Sequence, residues 1–243
     1  MSMKNIFIII LLVVCTNLYG QSEAAKEKIR QLNPDIWLDI WDKENSEAKL
    51  KINRLSYDDI PKYLEFRGTV VEALRWTDKV SEKILIQTVT GGFDWKDYDD
   101  SNNYMIQDKA ELYVYLFEKQ NDEDTFSPSW RIYDYTECFG VDMYTGFIPE
   151  ATTITDIDNN GITEIAIPYV LICRGGMDPG VMKIIMYENE VKYALRGSTS
   201  ICKGKPAYGG EKTPSENLKS NKLFLEFLNE RWHIHTCERD RFY

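Results

Sequence analysis

The stretch Asp156-Ile157-Asp158-Asn159-Asn160-Gly161-Ile162-Thr163-Glu164 sets oxygen-bearing side chains at alternating positions, then a glycine, then an acid. A hard cation such as Ca2+ gathers roughly six to eight oxygen ligands at short range. Side chains at the first, third and fifth positions converge on an ion when the chain curls around it. Asp156, Asp158 and Asn160 hold those positions. Gly161 suits the tight turn, the carbonyl of Ile162 is placed to point inward, and Glu164 offers one or two carboxylate oxygens. An EF-hand would carry its bidentate Glu three residues further on, where this chain has Ile167. The flanking sequence on both sides alternates like strand, not helix. The segment therefore predicts a structural Ca2+ turn between two strands, with Asp156, Asp158, Asn160, Ile162 and Glu164 as ligands. The competing reading is an Asn-Asn-Gly hairpin turn whose carboxylates are merely solvated.

Other constellations carry less. Asp94, Asp97, Asp99 and Asp100 crowd the segment 91–108, which reads as an acidic loop. It lacks the glycine turn of a cation site, so solvation is expected, with a second cation site or a surface for a cationic partner as the alternatives. His233-x-His235-x-Cys237 would alternate on one face if extended and could then suit Zn2+ or Cu2+. It follows a helical pattern, however, and Cys237 is needed for an even disulfide count. No Gly-rich phosphate loop and no G-x-S-x-G elbow occurs, and only two His are present. No catalytic residue is assigned and no enzyme activity is expected. An Asp/Glu pair acting on glycans stays open as a third reading, because carboxylate separation is invisible in a sequence. The 15 Tyr and six Trp are expected in core and cross-strand pairs, with a sugar-stacking surface as the alternative.

The elements that must hold this loop come from an exported chain. Lys4 precedes the uncharged run Ile6–Cys15, about ten residues long, which is too short to span a bilayer and right for a signal-peptide core. Cleavage is expected after Gly20. A lipoprotein signal with Cys15 acylated is the alternative, and Val14 suits it poorly. Removing residues 1–20 takes one Lys from 29 and no acid from 39, so the net charge moves from −10 to −11. That balance excludes a general nucleic-acid binder and a polybasic lipid anchor. Cys138, Cys173, Cys202 and Cys237 remain, which suits two disulfides in an oxidising compartment. Sequence proximity favours Cys138–Cys173 with Cys202–Cys237 among the three connectivities. The absence of a CxxC pair argues against a zinc ribbon or thioredoxin-like site.

The hydrophobic period predicts a mainly β, β-rich α+β fold. Residues 21–66 read as a helical or irregular opening segment, and residues 67–243 as a β-rich domain. Strands are expected at Thr69–Trp76, Lys83–Thr90, Ala110–Glu118 and Trp130–Thr136, then at Thr152–Thr155, Glu164–Cys173, Val181–Glu188 and Lys192–Gly197. This gives two four-stranded antiparallel meanders with a suspected internal duplication, packed as a sandwich or a partial propeller. Thr213-Pro-Ser-Glu216 fits a capping box with Pro at the first helical position. Leu218, Leu223, Phe224, Phe227, Leu228 and Trp232 then form the stripe of a C-terminal amphipathic helix that should cover a sheet face.

The segment Thr155–Ala166 (TDIDNNGITEIA) resembles the FG-GAP/VCBS type of calcium loop. The wider stretch from Asp156 to Gly197, with CRGGMDPG, KIIMYE and KYALRG, is similar to a family of exported Gram-negative proteins described as surface polysaccharide biosynthesis proteins. The resemblance implies a part in surface-polysaccharide assembly and no defined reaction. The expected function is a secreted, calcium-stabilised binding or accessory module of the cell envelope, in the periplasm or at the cell surface. Its partner would be an envelope protein or glycan, or a cationic protein. The rival reading is a periplasmic inhibitor of a basic hydrolase such as lysozyme, which an acidic surface would steer towards its target.

Overall fold

Side chains that alternate between apolar and polar cannot stay in solution as single strands, so the fold is two sheets that bury their apolar faces on each other. A computed structural model describes residues 50–98, 103–120, 122–202 and 207–238. The expected signal peptide and the 21–49 part of the opening segment lie outside the described residues. The described part of that segment is irregular, with one short strand and one 3-10 turn at Tyr57–Asp59.

The first sheet runs in sequence order: β1 (Asn53–Arg54), β2 (Thr69–Thr77), β3 (Glu82–Tyr98), β4 (Tyr104–Lys119) and β5 (Ser127–Cys138). The second comprises β6 (Asp142–Phe147), β7 (Thr153–Thr155), β8 (Glu164–Arg174), β9 (Val181–Glu188), β10 (Val191–Ser198) and β13 (Lys212–Pro214). A small ribbon joins β11 (Ser200–Ile201) to β12 (Tyr208–Gly209). All strand pairs in both sheets are antiparallel. Both expected meanders are present, as β2–β5 and β7–β10, and the architecture is sandwich-like and not a closed barrel. The strand β6, which the sequence reading did not assign, shares one edge of β8 with β7. Pro168 lies where these two edge strands meet. Its carbonyl accepts from Ile148 N on that side, so its missing N–H falls at the break and no ladder bond is lost.

Leu74, Trp76, Leu85, Leu112, Val114, Leu116 and Ile132 of the first sheet pack against Ile154, Ile165, Ile167, Tyr169, Ile185, Tyr187 and Ala194 of the second. Ile60 and Leu64 cover part of the first sheet's outer face, over Ala73, Ile84, Ile86 and Phe117. The C-terminal helix is two pieces, α1 (Glu216–Ser220) and α2 (Lys222–His235). Phe224 of α2 meets Tyr193 of β10 edge-on at 5.0 Å, placing the helix against the second sheet as the apolar stripe predicts. Leu223 is the exception and is exposed. No helix among the described residues is long and apolar enough to cross a membrane.

Two local expectations are corrected. Pro214 is not a first helical residue: it pairs with Leu195 as the end of β13. Ser215 makes no capping hydrogen bond, because its hydroxyl accepts from Ala194 N instead; the side-chain cap belongs to Asn221, which accepts from Phe224 N at the start of α2. The expected acidic loop is strand at residues 91–98 and 104–108. Thr90 and Gly91 lie opposite the single residue Glu111 in a bulge at which β3 shifts register, and the strand then continues to Tyr98 against β4. Phe93, Trp95 and Tyr98 with Tyr104 and Ile106 supply β-forming side chains that outweigh the acids between them. Asp99 and Asp100 lie outside the described residues.

Both disulfides join the expected partners, Cys138–Cys173 and Cys202–Cys237. Buried polar groups add further ties between the sheets. Asp134 of β5 accepts from Tyr169 of β8 at 2.8 Å and from Lys183 of β9 at 2.5 Å. At the β2–β3 turn, Asp78 accepts from the N–H and hydroxyl of Thr163, at 3.1 and 2.9 Å, and pairs with Lys83 at 3.0 Å. Thr163 immediately precedes β8, so this turn is the clamp that fixes the predicted cation loop to the opposite sheet. Lys83 also reaches Glu118 and Ser81, and Trp76 Nε1 donates to Thr163 Oγ1 at 3.0 Å. Removing one member of a buried ion pair strands the other. Asp78→Ala is therefore expected to lower unfolding free energy by about 3–5 kcal/mol in chemical denaturation. A loss under about 1 kcal/mol would show that the turn does not clamp the sheets.

Candidate metal centre

The loop 156–163 closes the β7–β8 hairpin, and the backbone curls as its sequence demands. Asn159 and Gly161 adopt left-handed φ angles of 59° and 87°, a region that Asn tolerates and Gly enters freely. A Cβ on Gly161 would also stand 2.9 Å from Lys79 Cδ. Gly161 N donates to both oxygens of Asp156 at 3.2 Å, and Asn160 N donates to Asp158 Oδ1 at 3.1 Å. The far side of the loop is held by the first sheet: Lys79 N donates to Gly161 O at 2.9 Å.

This curl brings Asp156, Asp158 and Glu164 together, with carboxylate oxygens within 4.8 Å of one another. Glu164 is buried. Its Oε2 accepts from Thr155 Oγ1 at 3.0 Å and Ile157 N at 2.9 Å, whereas its Oε1 is buried with no hydrogen-bond partner. A buried, unsatisfied carboxylate oxygen is costly. Burial pushes the Glu164 carboxyl up to about 7; the two hydrogen bonds oppose the rise, and the neighbouring Asp158 charge adds to it.

The remaining two predicted ligands, Asn160 and Ile162, are hydrogen-bonded to each other within the loop. The Asn160 side chain turns to its neighbours: Nδ2 donates to Asp158 Oδ2 at 3.0 Å and to Glu188 Oε1 at 2.7 Å, and Oδ1 accepts from Ile162 N at 2.7 Å. Its amide braces Asp158 and Glu188. Ile162 N is the donor to Asn160 Oδ1. Sequence reasoning missed Glu188. It is the cross-strand partner of Glu164, a like-charge pair that destabilises a sheet unless something positive lies nearby. No linear signal marks Glu188, because it joins the loop only through the β8–β9 register. Asp78 was missed for the same reason.

An all-oxygen donor set with three carboxylates suits a hard divalent cation and not a soft one. Asp156, Asp158 and Glu164 are the residues that could hold it. The histidine alternative is corrected: Cys237 is bonded to Cys202, and His233 and His235 lie within α2, not on an extended strand. On the extended arm, Asp94 and Asp97 stand on opposite faces of β3 and form no cation cluster. Comparisons with protein-family models, curated proteins and solved structures give no match for this chain.

The raised Glu164 carboxyl has a definite sign. The folded chain holds this proton more tightly than the unfolded chain, so the contribution is present at low pH and lost as pH rises from about 4.5 through about 7. In EDTA, wild-type protein should lose on the order of 3 kcal/mol over that range relative to Glu164→Gln, which carries no titrating group there. Parallel wild-type and variant stability curves would contradict this assignment.

Proposed function

We propose that this chain is an exported, Ca2+-stabilised β-sandwich that serves as a binding or accessory module of the cell envelope. The observation that carries the reading is the convergence of Asp156, Asp158 and Glu164, with the buried Glu164 Oε1 left without a partner. An ion there would satisfy that oxygen and offset the repulsion among the three carboxylates and Glu188. Because Thr163 and Gly161 are bonded to the β2–β3 turn, the ion would also stiffen the junction between the sheets. Its role is structural. The two disulfides agree with an oxidising, exported compartment. Assignment to the envelope, and to surface-polysaccharide assembly within it, rests on the family resemblance of residues 156–197 and on the signal-like N-terminus.

Metal removal tests this directly. Ligand held at about 100 times its Kd adds roughly 2.7 kcal/mol to folding. For a chain of this size that corresponds to a Tm rise of about 5–10 °C over the EDTA-treated protein. Asp156→Asn/Asp158→Asn should abolish the rise. Identical melting curves with Ca2+ and with EDTA, together with no bound metal by elemental analysis, would refute the calcium reading.

A further inference from the structure

The pairing of β2 with β3 ends at Thr69–Val89, and that of β5 with β4 ends at Asp108–Cys138. Residues 93–98 and 104–107 therefore form a two-stranded arm that no third strand flanks among the described residues. A ribbon of two strands buries little apolar surface and is marginal by itself. This one is nonetheless rich in large apolar side chains: Trp95, Tyr98, Tyr104, Met105 and Ile106 are each 41–60% exposed. Both faces show them. Trp95 and Met105 lie on one face, and Tyr98, Tyr104 and Ile106 on the other. An exposed apolar surface of this density marks an interaction site more often than a free surface.

The arm is also preformed. Tyr98 and Tyr104 are direct cross-strand partners with ring centroids 5.8 Å apart, and Lys96 lies 4.6 Å from the Tyr104 ring. Gln107 donates to Asp97 at 3.1 Å. At the base, Lys109 lies 4.2 Å from the Trp95 ring and 4.3 Å from that of Tyr135, tying the arm to the sheet. A stiff protrusion loses little conformational entropy on docking.

The charges indicate what it docks with. Asp94 and Asp108 are direct cross-strand partners, and no described residue pairs with either side chain. Like charges set opposite each other cost stability, and a cation inserted between them would reverse that cost. The nearby bases do not offset this pair: Lys109 is already paired with Glu137 at 3.0 Å, and Lys96 lies against the Tyr104 ring. A second copy of this chain, with a net charge of −10, would be repelled. We propose that the β3–β4 arm is a docking wedge for a basic protein that presents an open groove, and that the Asp94–Asp108 pair seats an arginine or lysine of that partner. This inference does not depend on the ion, so its failure and that of the calcium reading are separable.

The test titrates the full chain with two basic proteins: lysozyme, which has an open groove, and cytochrome c, which has none of comparable depth. Variants are Trp95→Ala/Met105→Ala, Tyr98→Ser/Ile106→Ser and Asp94→Asn/Asp108→Asn. Asp122→Asn/Asp124→Asn, at the opposite end of β4, is the control for charge alone. Melting curves verify that each remains folded, which the exposure of these side chains favours. Lysozyme is expected to bind, with cytochrome c at least about tenfold weaker. Each aromatic or apolar variant should weaken lysozyme binding about tenfold. The Asp94→Asn/Asp108→Asn variant should weaken it several-fold and flatten its salt dependence, with the control unchanged. The proposal is overturned if lysozyme does not bind, if folded arm variants bind like wild type, or if cytochrome c binds equally well. It is equally overturned if the arm variants lose self-association or binding to soluble peptidoglycan fragments instead.

Discussion

One buried carboxylate ties the two sheets together next to the candidate site. Asp78 sits in the turn between β2 and β3, with its side chain fully enclosed, and collects hydrogen bonds from Val80 N, Ser81 N, Thr163 and Lys83. Burial alone would raise its carboxyl pKa, but these donors and the Lys83 charge hold it below the ordinary carboxylate range. A buried charge is stable only when paired and hydrogen-bonded in this way. The consequence is geometric. Thr163 is the last residue before β8, so the same contact that closes a hairpin in one sheet sets where the acidic loop of the other sheet begins.

The acidic excess of the chain is not spread evenly. Glu164 and Glu188 face each other across β8 and β9, and Asp94 and Asp108 face each other across β3 and β4. Sheets normally avoid such pairs. Elsewhere in the sandwich, buried and half-buried charges are matched: Lys83 with Asp78, Lys183 with Asp134, and Arg174 with Glu238 through a two-pronged contact at 3.0 and 2.7 Å. The contrast separates charges matched within the fold from like-charge pairs that are not. One such pair borders the acidic loop, where the proposed ion would offset it. The other lies at the base of the β3–β4 arm, where the basic side chain of the proposed partner would sit.

Legibility of the chain varied with the range of the signal. Strand positions in the sandwich followed from period-two alternation, and the helix stripe from Phe224, Phe227, Leu228 and Trp232. The arm was misread because carboxylates between Phe93 and Ile106 suggested solvation, while the same residues alternate well enough to pair once the Thr90–Gly91 bulge shifts the register. The helix start was misplaced because Pro214 has a legitimate place at the end of an edge strand, and local capping rules do not see β10 beside it.

By itself the sequence determined the mainly β class, the disulfide pairing favoured by proximity, and the three carboxylates that could gather around a cation. Each depends on neighbours within a few residues or on hydrophobic period, which a linear chain records. Only the tertiary structure decided that Asn160 braces the loop, that Glu188 and Asp78 border it, and that an acidic stretch projects as a paired arm. Those outcomes depend on which strands become adjacent and in what register. A one-residue slip in register moves every side chain to the other face, so that information exists only when the sheets are assembled.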